Sequence, residues 1–299
     1  MKIVVTGASG MLGQDVVAAA RGVRHEVVAL GHDLLDVTDP ARIERTISRH
    51  RPGAVINCAA WTDVDGAEEG EREASLVNGE GAGYVAGAAA QVDAKVLYVS
   101  TDYVFDGSKR GPYLESDDPA PIQAYGRSKL AGERATALAN ERSFIVRSSW
   151  LFGPGRDNFV ETMLRLGAGS APVVVVSDQV GSPTYTGHLA IGLVRLIDGT
   201  AYGVHHMAGS GSCSWYEFAL EIFRQAGVDA KVMAATSEML GRLARRPPNS
   251  VLESGREAPI RLPDWQRGLA DYLERSRAVR RQQGEPERSS APGLEGAGE

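Results

Sequence analysis

The chain has 299 residues, 43% of them hydrophobic, enough to bury a full core in one large domain or a large-plus-small pair. Its formal net charge of -6 excludes a broad basic surface for nucleic acid or an anionic membrane and leaves only local basic pockets. Cys58 and Cys213 read as free thiols of a reducing compartment, because two cysteines in a chain this long make neither a disulfide framework nor a metal cluster.

Met1-Lys2 leads directly into an apolar run without a signal-peptide pattern, and no stretch reaches membrane-spanning length, so the expected compartment is the cytoplasm. Short β-branched runs then alternate with longer helical patterns. The runs are Ile3-Val4-Val5, Val27 to Leu30, Ala54-Val55-Ile56, Val96 to Val99, Phe144-Ile145-Val146 and Val173 to Val176. Their nearly continuous apolar character predicts parallel strands buried on both faces. Between them, "DPARIERTISRHR" predicts a helix in which Asp39 caps, Pro40 suits the first turn, and Ile43 and Ile47 form an i, i+4 apolar pair. The alternation predicts an α/β fold with right-handed crossovers.

After about residue 150 the rhythm loosens into "DQVGSPTYTG" and then "GSGSCSWYEFALEIFRQAG", a helix capped by Ser212 or Ser214. The irregular "RRPPNSVLESGREAPIRLPDW" precedes a last short helix. From Ser276 to Glu299 large apolar residues almost vanish, which predicts a disordered tail.

The first chemical signal is "VVTGASGMLGQDVV", where Gly7, Gly10 and Gly13 form GxxGxxG between a strand and a helix. One glycine permits the tight turn, another lets backbone approach a pyrophosphate, and the third lets helix and strand pack closely. An ordinary Gly-rich turn is the plainer reading, but the first strand-to-helix junction of an α/β chain favours dinucleotide binding. The spacing is the form seen in extended short-chain dehydrogenases/reductases, which makes the expected fold a Rossmann-type doubly wound parallel sheet with a smaller carboxy-terminal region. Residues 1–150 are expected to bind NAD(P), with some later segments returning to that part, and residues 151–275 mainly to bind substrate. Gly31-His32-Asp33 follows the second strand, so Asp33 and Asp36 are both candidates for the adenosine ribose, and NADH versus NADPH stays open.

The second signal is "AYGRSKLAGE", in which Tyr125 and Lys129 share one helix face. An ammonium beside a phenol favours phenolate and is expected to lower the tyrosine pKa toward a useful range. Between the two signals lies "VSTDYVFDG", a strand end at the carboxyl edge of the sheet, where ligands of open α/β folds collect. Thr101 is the candidate hydrogen-bond donor to a substrate carbonyl there; Ser100 reads as structural or cofactor-facing.

Together with "NCAAWTDVDGAEE", "RSSWLFGPGRDNFVETML" and "SDQVGSPT", these stretches resemble the dTDP-4-dehydrorhamnose reductase family from residue 1 to about 275. The resemblance implies NAD(P)H-dependent reduction of the 4-keto group of a dTDP-4-keto-6-deoxy-L-hexose. It implies Thr101, Tyr125 and Lys129 as the catalytic set, with Tyr125 the proton donor and Lys129 on the nicotinamide ribose. Thr101, Asp102 and Trp150 would meet the sugar. Gly7, Gly10, Met11, Leu12 and Gly13 would meet the pyrophosphate, Asp36 and Val37 the adenosine, and Ala59, Ala60 and Thr62 the cofactor beyond the third strand. The implied partner is a dTDP-sugar; the charge favours neither a nucleic-acid nor a membrane partner, no His/Cys cluster or tight carboxylate group predicts a metal, and a divalent metal at an interface stays open, as does a homodimer.

Plainer roles stand beside several of these. Trp150 follows a buried strand and suits a core; Gln179, Pro183 and Thr184 suit a substrate-side loop or a mere connection; Arg246 suits a nucleotide diphosphate or a salt bridge. Asp63 and Asp65 read as structural acids, one of them capping a helix. Dehydratases of the superfamily follow the threonine with an Asp-Glu pair, and Tyr103 stands where that glutamate would be, which disfavours dehydration. An epimerase using the same Tyr and Lys stays open, as does a non-catalytic regulatory subunit resembling that of methionine adenosyltransferase.

Overall fold

Five of the six apolar runs become strands of one sheet, since β-branched side chains suit a pleated surface covered on both faces. A computed structural model of the chain describes residues 1–282. Its first half runs β1 (Lys2–Thr6), α1 (Met11–Gly22), β2 (Glu26–Leu30), α2 (Pro40–His50), β3 (Ala54–Asn57), α3 (Gly66–Glu69) and α4 (Glu71–Ser75). A π-helical turn, Leu76–Glu80, leads into α5 (Gly81–Gln91) and β4 (Lys95–Thr101). A 3-10 turn, Asp102–Val104, then precedes α6 (Ala124–Ala139) and β5 (Ser143–Ser148). Beyond these lie β6 (Leu151–Phe152), α7 (Phe159–Gly167), β7 (Val173–Val176), β8 (Val180–Gly181), β9 (Thr184–Tyr185) and α8 (Thr186–Asp198). The described chain ends with β10 (Gly203–His206), β11 (Cys213–Ser214), α9 (Trp215–Ala226), β12 (Val232–Ala235), α10 (Ser237–Leu240) and α11 (Trp265–Gln282).

The main sheet has the order β10-β5-β4-β3-β1-β2, with every neighbouring pair parallel. The chain builds outward from β1 to β2 and then crosses back to β3. That reversal opens a crevice beyond the carboxyl ends of β1 and β3. Alternate residues of β1 serve two cores: Ile3 and Val5 join Leu12 and Val16 of α1 and Leu189 and Leu193 of α8, whereas Val4 joins Ile43 and Ile47 of α2 and Val85 of α5. Asp39 caps α2 by accepting from the Arg42 amide at 2.9 Å, and Ile43 and Ile47 are both fully buried.

Val173–Val176 departs from the expectation that it joins this sheet. As β7 it pairs in parallel with β12 in a separate two-stranded sheet, and Val174 is exposed. Four valines in a row carry no period, so the run cannot distinguish a strand covered on two faces from one covered on a single face. A further core of Phe152, Met163, Phe218, Phe223, Trp265 and Tyr272 lies under this part of the chain.

Residues after 150 also help to build the main sheet. β10 extends it beside β5, α8 covers α1, and Lys95 at the start of β4 donates from Nζ to the carbonyls of Ile197 at 3.1 Å and Gly199 at 2.7 Å. Helix α11 continues past Ser276 to Gln282, further than composition suggested; the rest of the expected tail, 283–299, lies outside the described residues. Among the described residues no helix is long and apolar enough to cross a membrane.

Candidate active site

A cleft of about 650 Å³ opens at the carboxyl ends of β1, β3, β4 and β5. It brings together Gly7, Gly10, Met11, Leu12 and Gly13, then Asp36 and Val37, then Ala59, Ala60 and Thr62, and finally Thr101, Asp102, Tyr125, Lys129 and Trp150. Asp33 is not in the lining.

The Gly-rich turn is shaped for a close ligand. Gly7 has φ +63°, and a Cβ there would stand 2.5 Å from the Ala59 amide nitrogen. A Cβ on Gly13 would collide with the Gly7 carbonyl oxygen and hold α1 off the turn. Gly10 caps α1 without a side-chain acceptor, so its first-turn amides remain available to an anion at the positive end of the helix. Asp36 Oδ1 accepts from the Thr38 amide at 2.9 Å and its hydroxyl at 2.8 Å, and the Thr38 amide first of all lowers its pKa, fixing an ionised carboxylate on the adenosine side. Gly31 makes room for a neighbour: a Cβ there would lie 2.9 Å from Ser9 Oγ. At the inner end, Ser148 Oγ is buried in the lining with no hydrogen-bond partner among the described residues. These features fit a dinucleotide with its diphosphate on α1. Gly13→Ala is expected to cost about 1–3 kcal/mol of stability from overpacking and to abolish dinucleotide binding, checked by urea unfolding and NADPH titration.

The opposite wall carries the acid-base groups. Thr101 ends β4 in an extended conformation, and its Oγ1 accepts from the Tyr103 amide at 3.2 Å, starting the 3-10 turn. Gln123 caps α6 by accepting from the Gly126 amide at 2.6 Å, while Glu68 accepts from the Ala124 amide at 2.8 Å. These anchors set Tyr125 on the first turn of α6, with its phenol against the Thr101 hydroxyl and its ring edge-on to Tyr103 at 6.2 Å.

Lys129, one turn further along α6, is 2% exposed. Its Nζ donates to the Val99 carbonyl at 2.6 Å and lies 4.2 Å from the Tyr98 ring centre. Burial lowers its pKa to about 7, with Glu133 opposing. The spacing of Tyr125 and Lys129 predicted a lowered tyrosine pKa; the structure shows the reverse. Tyr125 opens to the cleft yet is walled by protein, and loss of solvation pushes its phenol up, with the Asp102 charge adding to the rise. The phenol is therefore held in its proton-bearing form, the form a reduction consumes.

Asp102 is 2% exposed, and burial pushes its carboxyl up to about 7, opposed by the hydroxyls of Ser250 and Thr101. Oδ1 accepts from Thr101 at 3.0 Å, while Oδ2 finishes without a hydrogen bond of good geometry. A folded-state pKa above the ordinary 3.8 means that the native state binds the proton more tightly than the unfolded chain. The stability this supplies is complete below about pH 4 and lost as pH rises through about 7. The melting temperature of Asp102→Asn relative to the parent should therefore rise from pH 5 toward pH 7 and level off by pH 8. A constant difference across that range would contradict the buried acid.

Trp150 is both buried and in the cleft. It has φ +47°, a left-handed conformation uncommon for a bulky side chain, and stacks on Trp215 with ring centres 3.6 Å apart and planes 6° from parallel. Trp215 itself lines the cleft and was not singled out from the sequence. Its signal was available: Ser214, not Ser212, caps α9 in a capping box with Glu217, which sets Trp215 at the first helical position. Ser148, Arg156 and Asn158 also line the cleft without having been expected there.

The plainer reading holds elsewhere. Gln179 donates to Ser237 Oγ at 2.8 Å, Thr184 Oγ1 donates to the Ser182 carbonyl at 3.1 Å, and neither belongs to the cleft lining. Asp63 accepts from the Gly66 amide at the start of α3 at 2.9 Å, and Asp65, at the N-cap position, makes no side-chain cap hydrogen bond. Asp65 instead receives Arg246 in a two-pronged pair at 2.6 and 2.8 Å, tying the start of α3 to the carboxy-terminal segment. The Arg246 guanidinium is thus engaged by Asp65 and the Tyr103 hydroxyl, and Arg246 itself is not in the cleft lining. Ser100 donates to Glu133 at 2.5 Å and also lines the cleft, in keeping with a structural or cofactor-facing hydroxyl.

A family model described as the RmlD substrate binding domain matches residues 1–278. The chain is 45% identical over 259 residues to the dTDP-4-dehydrorhamnose reductase of Streptomyces griseus, covering 84% of this chain and 85% of that protein. It is 40% identical over 280 residues to the spore coat polysaccharide biosynthesis protein SpsK of Bacillus subtilis, covering 93% and 99%. Among solved structures, the dTDP-4-dehydrorhamnose reductase of Bacillus anthracis in complex with NADP superposes with a TM-score of 0.89 at 38% identity, covering 92% of this chain and 99% of that one.

Proposed function

This chain belongs to the dTDP-4-dehydrorhamnose reductase family, and on that premise we propose that it reduces the 4-keto group of a dTDP-4-keto-6-deoxy-L-hexose, forming dTDP-L-rhamnose or a related deoxysugar nucleotide. It is an NAD(P)H-dependent oxidoreductase of that type. The observation that carries the reading is the convergence of Thr101, Tyr125 and Lys129 on the inner wall of a cleft whose other end is a glycine cradle at the start of α1.

Gly7, Gly10, Met11, Leu12 and Gly13 hold the diphosphate; Asp36 and Val37 meet the adenosine; Ala59, Ala60 and Thr62 line the path beyond β3. A nicotinamide cofactor held along that path would supply the hydride for the C4 carbonyl carbon. Tyr125 gives its proton to the carbonyl oxygen as charge develops there, and Thr101 steadies the same oxygen by hydrogen bonding. Lys129 meets the ribose and, once charged, offsets the phenolate that Tyr125 becomes. Asp102 contacts the sugar and Trp150 packs beside it. The net charge of -6 supports an enzyme without nucleic-acid or anionic-membrane partners, and the proposed compartment is the cytoplasm. A second copy of the chain as partner is tested by sedimentation.

The test is incubation with candidate dTDP-4-keto sugars and NADPH or NADH, followed by NMR of the product. A C4 alcohol with matching cofactor oxidation is the expected result. An epimerised sugar without net oxidation, or no turnover of either cofactor, would instead support an epimerase or a regulatory subunit.

A further inference from the structure

The glycine cradle supplies only neutral donors and the partial charge of a helix end, about half an elementary charge, against a diphosphate that carries a negative charge on each phosphate. The cations in the cleft lining are therefore informative. Lys129 is buried at the far end and committed to the Val99 carbonyl. His32 lies beyond β2 on the adenosine side. Arg156 is the one arginine in the lining; it is exposed, and its guanidinium makes no hydrogen bond or ion pair among the described residues.

Its placement is fixed from both sides. Asn158 caps α7 by accepting from the Glu161 amide at 3.2 Å, and its Nδ2 donates back to the carbonyls of Gly153 at 2.8 Å and Arg156 at 3.2 Å, closing the loop on itself. Gly155 has φ +86°, and a Cβ there would come within 3.0 Å of Gln14 Nε2. Gln14, in the first turns of α1, donates in turn to the Ser9 carbonyl at 3.0 Å, inside the Gly-rich turn. The loop thus rests on the elements that form the diphosphate cradle. The neighbouring acid, Asp157, faces Arg165 at 3.7 Å.

We propose that Arg156 binds the diphosphate of the nicotinamide cofactor, closing from the β6–α7 loop the anion site that α1 opens. The inference rests on the cofactor reading above. A guanidinium suits the task because its fork matches two phosphate oxygens and stays charged at any working pH.

The test is equilibrium titration of the full chain with NADPH, with NADH and with dTDP, for the parent, Arg156→Ala and Arg156→Lys, at two salt concentrations. Arg156→Ala should weaken NADPH and NADH alike by about tenfold and flatten the salt dependence of both, leave dTDP unchanged, and keep the parent melting temperature. Arg156→Lys should recover part of the loss. Weakening of NADPH alone would assign the arginine to the ribose phosphate and overturn the proposal. Weakening of dTDP alone would assign it to the substrate and do the same. Unchanged affinities in a variant of a parent that binds NADPH overturn this inference only; a parent that binds neither cofactor overturns the proposed function and the inference with it.

Discussion

Tyr125→Phe is expected to lower kcat by roughly 100- to 10,000-fold, the range that loss of a positioned general acid produces. The change removes one oxygen and keeps the ring that meets Tyr103 edge-on at 6.2 Å. Affinity for NADPH should change little, because the α1 cradle and Asp36 are untouched. Burial holds the parent phenol in its acid form well above neutrality, so turnover by the parent should not collapse between pH 6 and 8 through loss of this proton. Single-turnover kinetics with the 4-keto sugar separates the chemical step from product release. Near-parental rates in the variant would remove Tyr125 from the reaction and leave the shared threonine as the next donor to examine.

The second large effect lies behind the site. Glu133, one turn beyond Lys129 on α6, accepts from Arg147 Nε at 2.9 Å and Nη2 at 2.7 Å, and from Ser100 at 2.5 Å. Both ionic side chains are about 5% exposed or less, and the Arg147 guanidinium also lies 5.1 Å from the Phe105 ring centre. Glu133→Ala leaves that guanidinium buried without its counter-charge, a loss of about 3–5 kcal/mol. Urea unfolding should show a large drop in midpoint, and turnover should fall as well, since Glu133 supports the charge on Lys129. The paired replacement Glu133→Leu with Arg147→Met removes both charges and should regain much of the stability but not the rate. If Glu133→Ala unfolds at the parental midpoint, the pair is ornamental.

Much of this site is legible in the sequence because its pieces are local. GxxGxxG between a strand and a helix, Tyr and Lys one turn apart, and a threonine at a strand end each report their geometry within a few residues. What escapes is what depends on docking across long stretches of chain. Trp215 and Arg156 reach the cleft from α9 and from the β6–α7 loop, and no periodicity near either residue says where those elements pack. The phenol's pKa escapes for a related reason: spacing places a lysine one turn away but does not reveal the desolvation that dominates the shift. Arg246 illustrates the converse, a cation in a promising Pro-rich loop that an acid 181 positions earlier has already engaged. The extension of α11 beyond Ser276 shows helix propensity outlasting hydrophobic content, for Val279 in that last stretch is largely exposed.

The return of β10 and α8 to the main sheet has an evolutionary corollary. A gene cut after residue 150 would encode a β5 with a bare edge and an α1 stripped of the cover that Leu189 and Leu193 provide, a fragment prone to pair with its own copies. A boundary at residue 150 therefore divides one folded unit instead of separating two. Short segments such as the first turn of α9, which brings Trp215 to the cleft, are where the lining can change without disturbing that shared scaffold.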